Sequence, residues 1–437
     1  MHFLTEIDPR AAIRGSRDPL GLQPIWTRMG REVVGNLTTV TRSARNFTTL
    51  MLGLYFADEL INQGKADESK RAALFLKFEQ LAAYSRATYG GGAEAGRILG
   101  ITRVKKRLAD GRALPINTDA ESQILSNQKT YGIWGLYSVA SVSSGLVDPD
   151  SHRVSVEARE YIEHFALPQL QKAYPKSLET IRRFVGGERA FRPTGADAAL
   201  AKALARLMRP KLLAKEQRFY SRHLVLADVP GDTTRGRQAK LWDVLCRVND
   251  GGHFDWKSDF SFQELEEVRK KSAKVDEGLC DALGRIATVE PLLALSARLF
   301  GYVIAQRDAV AADVAHAIEQ KLGPRLEHLR PAEIAALHGT ITDASTRGSA
   351  DHLVAMAEQL ATGRYTDFID EAMRLNARVM KARGGAPWVE ERKGRLHVRL
   401  RSERSPIPRP SNVSSLWANT YFLDSFKVVG AEVMGKR

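Results

Sequence analysis

The chain has 437 residues, long enough for two to four domains and a substantial core. Its 43% apolar and 27% charged composition excludes a disordered polar chain. The two cysteines, Cys246 and Cys280, fall in no CxxC or metal spacing, which excludes a disulfide framework and a zinc finger. The net charge of +14 is unevenly placed: residues 1–115 carry +7, residues 374–437 carry +9, and the stretch between them carries −2. Basic ends predict a polyanionic partner, nucleic acid foremost. A merely solubilising surface in an arginine-rich chain is the alternative. Glu6 and Asp8 precede any apolar stretch, and the longest apolar run, LMLGLYFA at 50–57, is too short to span a bilayer. A cytoplasmic protein with no membrane contact is therefore expected, with free thiols.

In chain order, residues 1–24 read as irregular, broken by Pro9, Pro19, Gly21 and Pro24. Helices follow over 41–62, with Phe47, Leu50, Leu54 and Ala57 on one side, and over 66–89, with Leu74, Phe78, Leu81 and Tyr84 at helical spacing. Their aromatics read as core. The run Gly90-Gly91-Gly92 follows no strand and precedes no Lys-Ser/Thr, so it is not a phosphate-binding P-loop. The segment ITRVKKRLADGR then brings Arg103, Lys105, Lys106 and Arg107 together, as a phosphate-tracking cluster or a solvated helix face.

Residues 116–165 carry the most specific pattern. Thr118 and Asp119 suit the N-cap of a helix beginning at Ala120. Ser126, Asn127 and Gln128 read as a turn, and a second helix follows, with Ile133, Leu136, Val139 and Val142 on its core face. Tyr137, Ser138, Ser141 and Ser144 then face away. Gly145 suits the helix end, Asp148 to Ser151 form a tight turn, residues 153–156 return as a strand, and residues 157–165 open another helix. This order of helix, turn, helix, wing-like loop and helix resembles the winged helix-turn-helix superfamily. The resemblance covers about a tenth of the chain. It implies a recognition helix near residues 133–144 lying in a DNA groove. That helix holds no Lys or Arg, a departure from the pattern, and offers Trp134, Tyr137 and serines instead. Lys129, His152, Arg153 and Arg159 surround it and suit phosphates rather than bases. Protein docking through the same module is the competing reading.

Beyond the module, residues 196–226, 261–285, 290–320, 331–338 and 349–382 read as helices, with no fixed-period repeat. Near the C-terminus, RGGAPWVEERKGRLHVRLRSE predicts a β-hairpin turning at Arg392-Lys393-Gly394. Arg395, His397, Arg399 and Arg401 alternate with Leu396, Val398 and Leu400 and would form an outward basic stripe. A last helix is expected from Ser414 or Ser415 through Trp417, Tyr421, Phe422 and Phe426, docked on its own chain.

No histidine pair has zinc spacing, and no GxSxG, Walker or Rossmann pattern is present. Glu391 and Lys393 form an E-x-K fragment that a magnesium-dependent nuclease would complete with Asp367 or Asp370; Asp255 and Lys257 around Trp256 read as a surface loop. The expected architecture is mainly α: a multi-helical body with an embedded winged helix-turn-helix and a C-terminal β-hairpin. Its segments are 1–115, 116–170, 171–375 and 376–437. The expected role is a non-enzymatic subunit binding nucleic acid, double-stranded DNA foremost, or acting as an adaptor beside partner proteins. From architecture alone, a bacterial multi-protein system such as anti-phage defence fits. The alternatives are a protein-assembly scaffold and, after it, the nuclease. No cofactor is implied.

Overall fold

The computed structural model describes residues 18–92, 97–249, 255–342, 347–400 and 405–436. The chain is mainly helical. It opens with α1 (Gln23–Arg31), α2 (Ala44–Asn62), α3 (Arg71–Tyr89), α4 (Ile101–Ala109) and strand β1 (Leu114–Ile116). Then come α5 (Gln128–Tyr131), α6 (Ile133–Ser143), α7 (Val156–Tyr161), α8 (Leu167–Ala173), α9 (Ser177–Gly186) and β2 (Arg189–Phe191). Next are α10 (Ala198–Leu207), α11 (Ala214–Tyr220), α12 (Arg237–Val248), α13 (Phe262–Ser272), α14 (Glu277–Val303) and α15 (Ala311–Leu322). The chain closes with α16 (Pro331–Ala336), α17 (His338–Ile341), α18 (Arg347–Ala361), α19 (Tyr365–Ala382), β3 (Val389–Arg392), β4 (Arg395–Val398) and α20 (Leu423–Met434).

One compact unit joins the described part of Met1–Val33 to Phe260–Tyr421, and a second joins Val34–Asp259 to the segment from Phe422 onward. Each is discontinuous, because the first and last stretches of chain fold into units whose bulk lies elsewhere in the sequence. Linker composition cannot reveal such an arrangement.

The second unit is built around α2. This helix is buried nearly all round, with even Arg45, Asn46, Thr48, Thr49 and Asp58 inside. It packs against α3, α6, α9 and α20. A helix apolar on every side belongs in a core. Its buried polar groups must find partners there. The Arg45 guanidinium donates from Nη2 to Glu216 Oε2 at 3.1 Å, forms an ion pair with the same carboxylate through Nη1, and donates from Nε to the Arg209 carbonyl at 2.6 Å. Glu216 also accepts the Leu213 amide at the start of α11. The α20 helix closes this unit against Trp242, and Gly430 is required there: a Cβ would lie 2.3 Å from the indole.

The first unit centres on α14, 27 residues long. Among the described residues it is the one helix long and apolar enough to cross a bilayer, yet 67% of its apolar window is buried in the fold. Buried Glu290 sits mid-helix, accepting the amides of Ala418 and Asn419 and the hydroxyl of Tyr421 at 2.6, 2.9 and 2.7 Å. That carboxylate fixes the approach to the last helix. The helix expected from Ser414 or Ser415 begins only at Leu423: residues 410–415 are a 3-10 turn, Trp417 follows on irregular chain and packs on Phe260, Phe262 and Tyr421, and Tyr421 and Phe422 form a left-handed turn at φ 48° and 65°.

The expected hairpin forms. Val389 pairs with Val398 and Arg392 with Arg395. Lys393 and Gly394, at φ 53° and 74°, make its two-residue turn. The helix expected over 349–382 is two helices, split at Gly363. Its φ of +76° and the Pro324 carbonyl, 1.8 Å from where a Cβ would stand, require glycine. The helix expected from Ala120 does not form at all; residues 118–127 are turns.

Removing one partner of the Arg45–Glu216 pair leaves a buried charge uncompensated. Arg45→Met is expected to lower stability by about 3–5 kcal/mol in urea unfolding, and Arg45→Met with Glu216→Leu to recover a measurable part of that loss.

Candidate nucleic-acid interface

The helix expected to enter a groove, α6, is present, but the face expected to point outward is its buried face. Ile133, Tyr137, Ala140 and Ser141 are buried, while Val139 is 60% exposed. The reason is angular. At about 100° per residue, positions 133, 137, 140, 141 and 144 fall within roughly one quadrant and a little more, whereas steps of three drift by about 60° each and put Val142 opposite Ile133. The first stripe seats α6 on α2. Tyr137 meets Phe47 edge-on at 5.0 Å between ring centroids, and Asn46 Nδ2 donates to its hydroxyl at 3.0 Å. Burial pushes the Tyr137 hydroxyl up to about 12. Ser138 turns its hydroxyl back onto the Trp134 carbonyl. Tyr137 and Ser141 are therefore closed to any groove.

The start of α6 is set by a carboxylate from α3. Glu79 Oε1 accepts the Ile133 amide at 2.7 Å, and Oε2 accepts Gln128 Nε2 at 2.8 Å. Gly132 is needed here, because a Cβ would lie 2.9 Å from both carboxylate oxygens. Glu79 is fully buried, and burial pushes its carboxyl up to about 7 against the pull of those two donors.

The basic residues named from sequence separate into engaged and free. Arg103 donates to the Gln123 carbonyl at 3.0 Å, and Arg107 to the Ser122 carbonyl at 2.7 Å, to the Glu121 carbonyl and to the Tyr84 hydroxyl at 3.0 Å. These guanidiniums supply partners for the carbonyls of Glu121, Ser122 and Gln123, which satisfies them in the turn conformation. The wing-like loop forms a bridge between Val147 and Val154, with the Asp148 carboxylate accepting the Ser151 amide at 2.7 Å. It is fastened to the body. Arg153 reaches Asn62 Oδ1 at 3.2 Å and Glu68 at 3.4 Å, and Arg71 holds the Ser151 carbonyl at 2.8 Å. Arg159 lies over the Tyr55 ring at 5.7 Å. On the hairpin, Arg395 donates to the Asp308 carbonyl and Arg399 to Glu390, each at 2.9 Å; Arg401 lies outside the described residues. Lys105, Lys106, Lys129 and His152 are exposed. Glu391 and Lys393 lie exposed on the hairpin, Asp367 pairs with Arg364, and among the described residues no group of three His, Cys, Asp or Glu could hold a metal ion.

The structure does gather free cations at a place the sequence reading passed over. Strands β1 and β2 pair antiparallel, Leu114 opposite Phe191 and Ile116 opposite Arg189. Leu114, Ile116 and Phe191 are buried and anchor this ribbon, leaving Arg189 and Ala190 exposed. A cleft of about 350 Å³ on one side is lined in part by Lys105, Arg112 and Arg192. A second, about 360 Å³, is lined in part by Arg183, Arg189 and Arg192. Arg192 borders both. Among the described residues the one carboxylate in either lining is Asp197, whose Oδ2 accepts the Arg192 amide at 2.8 Å. Arg183 is 3.9 Å from Glu179; the side chains of Lys105, Arg112, Arg189 and Arg192 are exposed with no hydrogen bond or ion pair among the described residues. Of these only Lys105 was singled out from sequence. The available signal was RAFRPTG at 189–195, a short basic strand ahead of a Pro-Thr-Gly turn.

No protein-family model matches the chain, and no curated protein or solved structure shows significant similarity to it.

The Glu79 carboxyl gives a sign that can be checked. Its folded value of about 7 lies above the ordinary 4.5, so the native state holds the proton more tightly than the unfolded chain does. The stability this confers is full below the unfolded value and is lost as pH rises through about 7, roughly 3 kcal/mol in all. Urea unfolding from pH 5 to 8 should show that decline in the native chain and a flatter profile in Glu79→Gln, which keeps an acceptor for the Ile133 amide.

Proposed function

We propose that the protein binds nucleic acid through its phosphate backbone, on the surface formed by the β1–β2 ribbon and the adjoining end of α4. The observation that carries this reading is the lining of the two clefts: among the described residues, five cations against a single carboxylate. Exposed, unpartnered guanidiniums suit planar, bidentate contact with phosphate. They give affinity and register without reading bases, so the binding is expected to be sequence-tolerant and strongly salt-dependent. The ribbon replaces α6 as the contact element, since α6 carries no cation and spends its polar face on the core.

The scaffold reading keeps one observation in its favour. The outward face of α6 is uncharged, with Gly135, Val139 and Ser143 exposed at four-residue spacing, and Val156 at the start of α7 is 74% exposed. Such a face suits a partner protein better than a polyanion.

The test is affinity for fluorescently labelled DNA and RNA across a salt series. Tight binding with a steep negative salt slope is expected. Arg189→Glu with Arg192→Glu should weaken it at least tenfold and flatten the slope by roughly 0.7–0.9 for each phosphate that the variant no longer neutralises. Lys129→Glu, away from the ribbon's clefts, should bind like the native chain. No binding at low salt would overturn the reading in favour of the α6 face.

A further inference from the structure

We infer that the strand held by the ribbon is single-stranded, and that Tyr89 is the platform on which one of its bases stacks. The inference rests on the phosphate-binding reading above and adds what the ligand must expose. Tyr89 is the last residue of α3 and is 37% exposed, although most aromatics of this helix are buried. Its hydroxyl donates to the Pro193 carbonyl at 3.0 Å, which ties the ring to the residue immediately after Arg192. Thr88 and Pro193 line the first cleft beside Lys105 and Arg192. Lys202, from α10, places its ammonium 5.5 Å from the ring centroid. An aromatic ring is thus tied through its hydroxyl to Pro193, a residue of the cation-lined cleft, with the Lys202 ammonium over the ring.

The chain around the ring is kept low. Gly90, Gly91 and Gly92 follow it directly, and a Cβ at Gly91 or Gly92 would meet nothing within 4 Å. Backbone-tracking cations combined with an exposed aromatic ring are the means by which proteins hold unpaired strands, because every unpaired base offers a face for stacking. A duplex keeps those faces inside its own stack and gives the ring nothing to bind. Reading the bases of a duplex instead requires an element that enters a groove, and α6 has its polar face on the core. The clefts, each near the lower limit for a pocket that encloses a small molecule, suit single nucleotide units.

The experiment is fluorescence anisotropy of the full chain with a labelled oligothymidylate of about 20 nucleotides and with a duplex of the same length, at matched salt. The single strand is expected to bind more tightly. Tyr89→Leu should weaken strand binding roughly 5- to 100-fold and leave duplex binding unchanged, whereas Tyr89→Phe, which keeps the ring, should stay close to the native chain. Circular dichroism reports whether each variant folds. Should Tyr89→Leu not fold, photocrosslinking of a 5-iodouracil oligonucleotide to the native protein decides the matter: a crosslink at Tyr89 supports the inference, and crosslinks only elsewhere overturn it. Equal affinity for both ligands, with Tyr89→Leu binding the strand normally, would overturn the single-strand inference and leave the phosphate reading standing. Binding to neither ligand would overturn the phosphate reading itself.

Discussion

Helix α2 has to be buried on all sides while carrying Arg45, Asn46, Thr48, Thr49 and Asp58, and the second unit is arranged to meet that demand. A buried guanidinium without a partner would cost several kcal/mol, a large share of a domain's net stability. Arg45 therefore fixes α11 through Glu216 and the chain before it through the Arg209 carbonyl. Thr48 shares a hydrogen bond with the Tyr220 hydroxyl at 2.6 Å, so the same two elements are joined a turn further along. Asn46 accepts from Arg86 on α3 and donates to Tyr137 on α6, which settles how three helices are turned about one another. Asp58, 3.1 Å from Arg71, holds the start of α3; burial pushes its carboxyl up while that guanidinium pulls it down.

The same constraint removes α6 from solvent. A serine- and tyrosine-bearing helix with no charge looks, by composition, like one that presents its polar side outward. In a core whose central helix offers Asn46, however, the Tyr137 hydroxyl is worth more inside, where it satisfies a buried amide, than outside, where water would satisfy it equally well. The Glu79 carboxylate completes the arrangement by capping α6 from α3, at the cost of being buried with no cation near it.

How much of this was legible in the sequence depends on how local the deciding interaction is. Helices over most of the chain follow from apolar periodicity, and the hairpin follows from alternation around Lys393-Gly394, whose positive φ angles are a property of two residues. The bounds of α6 were readable too, but its orientation was not: the polar stripe and the apolar stripe are both self-consistent, and only Asn46 and Phe47, some ninety positions earlier, choose between them. The missing helix at 120–125 has the same origin. Thr118 and Asp119 are good caps, yet Arg103 and Arg107 offer the backbone carbonyls of the segment better-placed donors. The late start of α20 is decided by Glu290, more than a hundred residues away. The discontinuous units have no local signature at all.

Charge shows the same limit in another form. The sequence places its excess of Lys and Arg at the two ends, and counting treats every guanidinium alike. In the fold most of the arginines that the basic clusters contain are spent: Arg103 and Arg107 on carbonyls, Arg153 on Asn62 and Glu68, Arg395 and Arg399 on the hairpin and its flank. A guanidinium engaged in this way adds to the long-range field but has few donors left for a phosphate, and beyond about 8 Å at physiological ionic strength that field is largely screened. What a polyanion can grip is the set of cations left over. Arg189 and Arg192 belong to a stretch of chain whose net charge is slightly negative, yet on the ribbon their side chains are exposed and form no ion pair among the described residues. Local freedom, rather than the balance of charge along the chain, decides where such a ligand can be held.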